Sequence, residues 1–229
     1  MILRQKLYDA LFGDAGLPIS TPNLYIEFLQ DLPDNSHILD VGVGTGIYFE
    51  NPQCISLIRE KCLKIHGIDI VKTDIELAGK RVVSAGLGDK VSVECTSLFS
   101  LTGVSQYDAI LFSESYPVID GVLMRSMINW IVKINVYQGK LCFINNIEDA
   151  PAPLQRLKPV FSLLGLRNQF GRLVSRDDML KTFADVGIDE SAVEFKLLAS
   201  ATPNYALFRD KIKIPGLNFQ MKQYLITIG

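Results

Sequence analysis

Histidine is scarce in this chain, two residues in 229, and the four cysteines, Cys54, Cys62, Cys95 and Cys142, follow neither a metal-ligand nor a CxxC spacing. A zinc knuckle, a histidine cage and a dithiol redox pair are excluded on that ground, and the thiols read as reduced, mostly buried small hydrophobes. Positive charge is not in excess: Lys and Arg total 23 against 25 Asp and Glu, a net charge of −2. No general cationic field is available to hold a phosphate backbone by counterion release, so no nucleic acid partner is expected. Long apolar runs are missing too. The stretch around residues 110–112 meets Glu114 and Asp120 well short of a bilayer span, which argues against a membrane protein. The opening segment MILRQKLYDALFGD is interrupted by Arg4, Lys6 and Asp9 and lacks a signal peptide's apolar centre, so a cytoplasmic location is the expectation.

What is present suits one well-filled core: 48% hydrophobic and 21% charged residues, with no repeat and no low-complexity tract. From Ile38 onward, apolar runs of strand length alternate with segments of helix length, the pattern of βαβ units on a parallel sheet. Strands are expected at HILDV, IHGIDI, VSVEC, YDAILFS and GKLCFIN, with helices over residues 47–62, 72–85 and 119–134 between them. Before this core, Thr21-Pro22 reads as a cap with proline at the first helical position, opening a helix through Tyr25, Phe28 and Leu29. A short helix is expected over residues 4–11. After it, Ala150-Pro151-Ala152-Pro153 breaks the chain before an amphipathic helix over residues 154–166. Ser175-Arg176-Asp177-Asp178 then has the form of a capping box and starts a helix that stops at Val186-Gly187. AVEFKLLAS and QYLITI read as final strands, with a loop over residues 202–218. The organisation is one α/β domain over residues 1–229: a helical lid (1–36), a core (37–147), a helical insert (148–187) and C-terminal strands (188–229).

The run Asp40-Val41-Gly42-Val43-Gly44-Thr45-Gly46 stands where the first strand hands over to the first helix. Glycines there let the backbone turn tightly and let a ligand approach without a Cβ in the way. A dinucleotide fingerprint wants its third glycine or alanine at position 47, where Ile47 stands, and Gly-Lys-Ser/Thr is absent. NAD, FAD and a P-loop nucleotide are therefore disfavoured.

This acid-x-Gly-x-Gly-x-Gly stretch resembles motif I of the class I S-adenosylmethionine-dependent methyltransferases, and Asp69, ending the second strand, stands where that family has a second acid. The resemblance runs from about residue 37 to the end. It implies a Rossmann-like, doubly wound, seven-stranded and mostly parallel sheet with helices on both faces and strand order 3-2-1-4-5-7-6. It also implies S-adenosylmethionine as cofactor: Asp40 orienting the loop and, through it, the methionine amino group; Gly42 and Gly44 bordering the methionine; Gly46 permitting close packing; Asp69 accepting from both ribose hydroxyls. Thr96, Ser97 and Leu98, after the third strand, would line the adenine, although the carboxylate the family often has there is missing.

Ligands lie at the carboxyl ends of the strands, so Ser113 and the residues after it would face the transferable methyl. Glu114 is the first candidate to touch the acceptor, drawing a cationic amine or taking a proton, and Tyr116 could supply a wall or a hydrogen bond. Asn145 and Asn146 offer amides where a metal-dependent relative has an acid-Asn pair, so no catalytic metal is expected. His37 and His66 lie too low on the strands for a histidine base. Ser-Glu-Ser-Tyr replaces the Asn/Asp-Pro-Pro-Tyr/Phe motif of nucleic-acid amino methylation. Tyr8 and Tyr25 are candidate lid residues, and Phe161, Arg167, Phe170 and Arg172 could shape the pocket. The resulting expectation is methyl transfer to a nitrogen or oxygen of a small-molecule acceptor. A protein lysine methyltransferase and a non-catalytic cofactor-binding scaffold are the competing readings, with aminopropyl transfer ranked last and oligomeric state unread.

Overall fold

The computed structural model describes residues 23–113, 121–134, 137–148, 176–198 and 221–229. The expected helices over 4–11 and 154–166, the loop over 202–218, and the candidates Tyr8, Phe161, Arg167, Phe170 and Arg172 lie outside the described residues. Helix α1 (Asn23–Asp31) leads into β1 (His37–Val41). A 3-10 turn (Ile47–Glu50), α2 (Pro52–Glu60), β2 (Lys64–Asp69), α3 (Lys72–Ser84) and β3 (Val91–Cys95) follow. Beyond a second 3-10 turn (Leu98–Ser100) come β4 (Ala109–Ser113), α4 (Gly121–Asn129) with a π-helical turn at Trp130–Ile134, and β5 (Lys140–Glu148). The chain then runs through α5 (Arg176–Asp185) and a 3-10 turn (Glu190–Ala192) to β6 (Val193–Leu197) and β7 (Met221–Ile228).

One seven-stranded sheet results, ordered β3-β2-β1-β4-β5-β7-β6, as the family resemblance implies. β1 pairs in parallel with β2 and β4, and β7 alone runs antiparallel, against β5 and β6. Alternate residues of each strand feed two apolar layers. One holds Leu39, Ile110, Phe112 and Phe143 against Met124, Ile128 and Phe183, from α4 and α5. The other holds Ile38, Ile65 and Leu111 against Phe28 and Leu29 of α1, Cys54 and Ile58 of α2, and Val82 of α3. Helix α1 earns its place by spacing: Tyr25, Phe28, Leu29 and Leu32 recur at helical intervals on one buried stripe. Fully burying each of these is worth about 1.5–3 kcal/mol. Strand order reverses between β1 and β4, so the crevice at their carboxyl ends, where the glycine run sits, is the position at which open α/β sheets take ligands.

Three expectations need correction. The single helix over 47–62 is two elements, because Asn51 is extended and its side chain accepts from the Gln53 and Cys54 amides, capping α2 with Pro52 in its first turn. Proline has no N–H to continue the preceding turn, so the break is built into the sequence. The YDAILFS strand begins only at Ala109. Tyr107 instead folds into a turn, its amide donating to the Val104 carbonyl. The cysteines are mostly buried only in half: Cys54 and Cys142 are buried, and burial pushes both thiols up to about 12, but Cys62 and Cys95 are exposed. Among the described residues no helix is long and apolar enough to cross a membrane.

Candidate functional site

The glycine run leaves β1 as a tight loop anchored to its neighbour strand, with the Gly42 and Val43 amides both donating to the Ile68 carbonyl at 2.8 and 3.1 Å. Gly67 in β2 makes room for this, since a Cβ there would come within 3.0 Å of the Val43 side chain. Gly44 and Gly46 adopt left-handed φ angles of 53° and 63°, for different reasons. At Gly46 a Cβ would strike the Phe49 ring at 2.6 Å and Ala78 at 3.1 Å, so this glycine serves packing against α3. At Gly44 a Cβ would meet no atom within 4 Å. That peptide borders open space beside Asp69.

Asp69 closes the loop from the other side. Its Oδ2 accepts from the Gly44 amide at 3.0 Å and its Oδ1 from the Val71 amide at 2.9 Å. A carboxylate has about four lone-pair sites, so one on each oxygen remains for a vicinal diol. The Thr96 amide donates to the Asp69 carbonyl, joining the end of β3 to the same cluster.

Asp40 is fully buried at the foot of the loop. The Tyr48 hydroxyl donates to its Oδ2 at 2.8 Å, and Oδ1 is buried with no hydrogen-bond partner among the described residues. Burial pushes the carboxyl up to about 7, with the Tyr48 hydrogen bond opposing and the Asp69 charge adding to the rise. Tyr48 in turn stacks on Tyr25 of α1, rings 3.9 Å apart and 12° from parallel. Tyr25, a candidate lid residue, is buried against Tyr48. An orphaned buried carboxylate oxygen, an open cradle at Gly44 and a half-used carboxylate at Asp69 fit a ligand that combines a positive group with a ribose.

Of the other predicted residues, Ser97 caps the Leu98–Ser100 turn by accepting from the Phe99 amide, and Leu98 is 2% exposed, packed in the core with only its edge available to a ligand. Ser113 ends β4, buried, beside the β1 terminus in the sheet. Glu114 and Tyr116 lie outside the described residues, and Asn145 and Asn146 fall within β5. His66 sits on the sheet, its Nδ1 2.6 Å from the Tyr107 hydroxyl and its Nε2 3.3 Å from Glu94. Sequence reasoning missed Tyr48 and Arg81. Arg81 of α3 donates from Nη1 to the Thr45 carbonyl at 2.7 Å, and its Nε lies 2.8 Å from Glu50 Oε1, an ion pair off the N–H axis. Tyr48 had one signal, its position two residues past Gly46; Arg81 had none.

No protein-family profile matches the chain. The tRNA1(Val) (adenine(37)-N6)-methyltransferase of Vibrio parahaemolyticus is 27% identical over 104 residues, 45% of this chain and 42% of that protein, so less than half of that relative is matched. Among solved structures, geranyl diphosphate C-methyltransferase from Streptomyces coelicolor, in complex with Mg2+, geranyl diphosphate and S-adenosyl-L-homocysteine, aligns with TM-score 0.60 at 15% identity, covering 89% of this chain and 77% of its own. The S-adenosylmethionine-dependent methyltransferase SibL aligns with TM-score 0.58 at 14% identity, over 91% of this chain and 54% of its own. The [4+2]-cyclase SpnF aligns with TM-score 0.58 at 17% identity, over 90% and 80%. At such identities the likeness is one of fold. With its strand order, its glycine loop and its second acid, the chain has the fold of the class I S-adenosylmethionine-dependent methyltransferases.

Proposed function

We propose that the chain binds S-adenosylmethionine in the cradle of Gly42, Gly44 and Asp69 and transfers its methyl group to a nitrogen or oxygen of a small-molecule acceptor. The observation that carries this reading is Asp69: each carboxylate oxygen takes one backbone amide and keeps a lone pair for a ribose hydroxyl. Asp40 supports it, a buried carboxylate with one oxygen unpartnered among the described residues, under the loop where the methionine ammonium would lie.

The bound cofactor supplies an electrophilic methyl on a sulfonium. An acceptor's lone pair would displace the sulfur at that methyl, and the acceptor's proton would pass to a base such as Glu114 or to water. The protein's share is alignment and exclusion of water. Asp69 fixes the adenosyl end, the Gly44 peptide admits the methionine end, and Glu114, in the segment after β4, draws an amine or takes the proton.

A second reading is favoured by one finding, the relative that is a tRNA adenine methyltransferase. Against it stand the net charge of −2 and the Ser113-Glu114-Ser115-Tyr116 sequence after β4. Calorimetry with S-adenosylhomocysteine tests the cofactor, and binding at or below the micromolar range is expected. Tritiated methyl transfer to pooled small amines and phenols, run beside unmodified tRNA, tests the acceptor. Label in tRNA alone would replace the small-molecule reading. Binding without transfer to any acceptor would turn the chain into a non-catalytic binder.

A further inference from the structure

The peptide joining Thr45 to Gly46 is held at both of its polar atoms. Its carbonyl accepts from Arg81 Nη1 at 2.7 Å, and its N–H donates to the Val43 carbonyl at 3.0 Å. Two peptides earlier, the Gly44 amide is taken by Asp69 at 3.0 Å. Groups of opposite charge, from the end of β2 and from α3, therefore grip alternate peptides of one glycine-rich turn, Val43–Gly44 and Thr45–Gly46. The start of the turn is fixed by the Ile68 carbonyl, and beyond Val43 these side-chain contacts add to the backbone bonds that hold it, because glycine visits many backbone conformations.

Arg81 is well built for the task. Its side chain is 16% exposed, and its Nε pairs with Glu50 at 2.8 Å while Nη1 serves the loop. Ala78, three residues earlier on the same face of α3, abuts Gly46. Helix α3 starts three residues after Asp69. The ribose acid and the loop brace therefore belong to one continuous β2–α3 unit, and a displacement of that unit moves both.

We propose that Arg81 is a positioning residue for the cofactor loop, acting through the Thr45 carbonyl with Glu50 as its counter-ion. This rests on the reading of the loop as the S-adenosylmethionine cradle. Two different guanidinium nitrogens serve two different partners, and the compact lysine ammonium lacks the spread fork that reaches both.

The experiment measures S-adenosylhomocysteine affinity by calorimetry, well below the unfolding transition, for wild type, Arg81→Met, Arg81→Lys and Glu50→Gln. Losing a charged hydrogen bond that sets the loop should weaken binding about tenfold or more in Arg81→Met. Arg81→Lys and Glu50→Gln, each of which disturbs one of the two contacts, should both fall between it and wild type. Amide exchange of Gly44 and Gly46 in the ligand-free protein should speed up in Arg81→Met while amides of β1 and β4 stay protected, which a general loss of stability would not produce. A folded Arg81→Met with wild-type affinity and unchanged loop exchange overturns the inference. Should Arg81→Met fail to fold, wild-type affinity in Arg81→Lys does the same. If wild type itself binds no S-adenosylhomocysteine, the cofactor reading falls and takes this one with it; wild-type binding with indifferent variants removes this one alone.

Discussion

The Tyr48 hydroxyl donates to Asp40 Oδ2 at 2.8 Å in a place that water does not reach. A carboxylate buried with one neutral donor is poorly stabilised as an anion, because a single hydrogen bond does not replace its hydration. Burial therefore favours the protonated form of this residue, and the tyrosine that donates to it also joins the loop to α1 through Tyr25.

The first prediction concerns pH. Burial raises Asp40 from an ordinary value of 3.8 to about 7 in the folded protein. A raised folded value means that stability from this group is fully present below about pH 4 and is lost as pH rises through about 7. Asp40→Asn removes that dependence. The difference in Tm between variant and wild type, each without ligand, should shift in favour of the variant from pH 4 to 8, roughly as one titrating carboxyl requires. A difference that stays flat over this range would show Asp40 ionised in the folded protein.

On the proposed reading, the ammonium of S-adenosylhomocysteine lies above Asp40, favours its ionised form and expels a proton on binding. Calorimetry at pH 6 in buffers of different ionisation enthalpy should register this release, and affinity should rise between about pH 6 and 8. Identical heats in all buffers would disconnect Asp40 from the ligand.

Asp69→Ala should cost about 1.5–3 kcal/mol of S-adenosylhomocysteine binding, the scale of a hydrogen bond to a charged group. Calorimetry on the variant is the check, and wild-type affinity would remove Asp69 from the site.

Gly44 and Gly46 should separate under alanine substitution. Gly46→Ala drives a Cβ into Phe49 and Ala78 at a left-handed backbone position, and should lower folding stability by about 2–4 kcal/mol in urea unfolding. Gly44→Ala meets no neighbour, so it should cost only about 1 kcal/mol of stability while weakening S-adenosylhomocysteine binding far more than that loss explains. Equal stability losses would mean the Gly44 side of the loop is no cradle.

Glu114→Gln should slow methyl transfer and leave S-adenosylhomocysteine affinity unchanged. Unchanged turnover, measured once an acceptor is found, would return Glu114 to a solvated or capping role.

Much of this architecture is legible in the sequence because its signals are local. HILDV reads as a strand because both faces of an inner parallel strand are covered, VSVEC because an edge strand alternates apolar and polar residues, and the Asp40 to Gly46 run announces its turn by composition. The Asn51-Pro52 break is equally local, a capping side chain followed by proline in the first helical turn, and the expected helix over 47–62 passes over it. What could not be read depends on residues brought together only by folding. Tyr48 reaches Asp40 because a 3-10 turn, tighter than an α-helix, aims its ring back under β1. Arg81 reaches Thr45 across 36 residues of chain. Leu98, placed beside the adenine by its position after β3, is drawn into the core because the short turn that Ser97 caps directs it inward.

The antiparallel strand has a consequence for how the molecule is made. β7 follows β6 in the chain yet lies between β5 and β6, pairing with β5 along eight successive residues. On the ribosome, β6 emerges with no neighbour to join, and the flank of β5 stays open until Met221–Ile228 has been synthesised. The nascent chain thus carries a sticky, unpaired border from the completion of β5 until β7 emerges, and the half bearing the glycine loop can form well before that border is sealed.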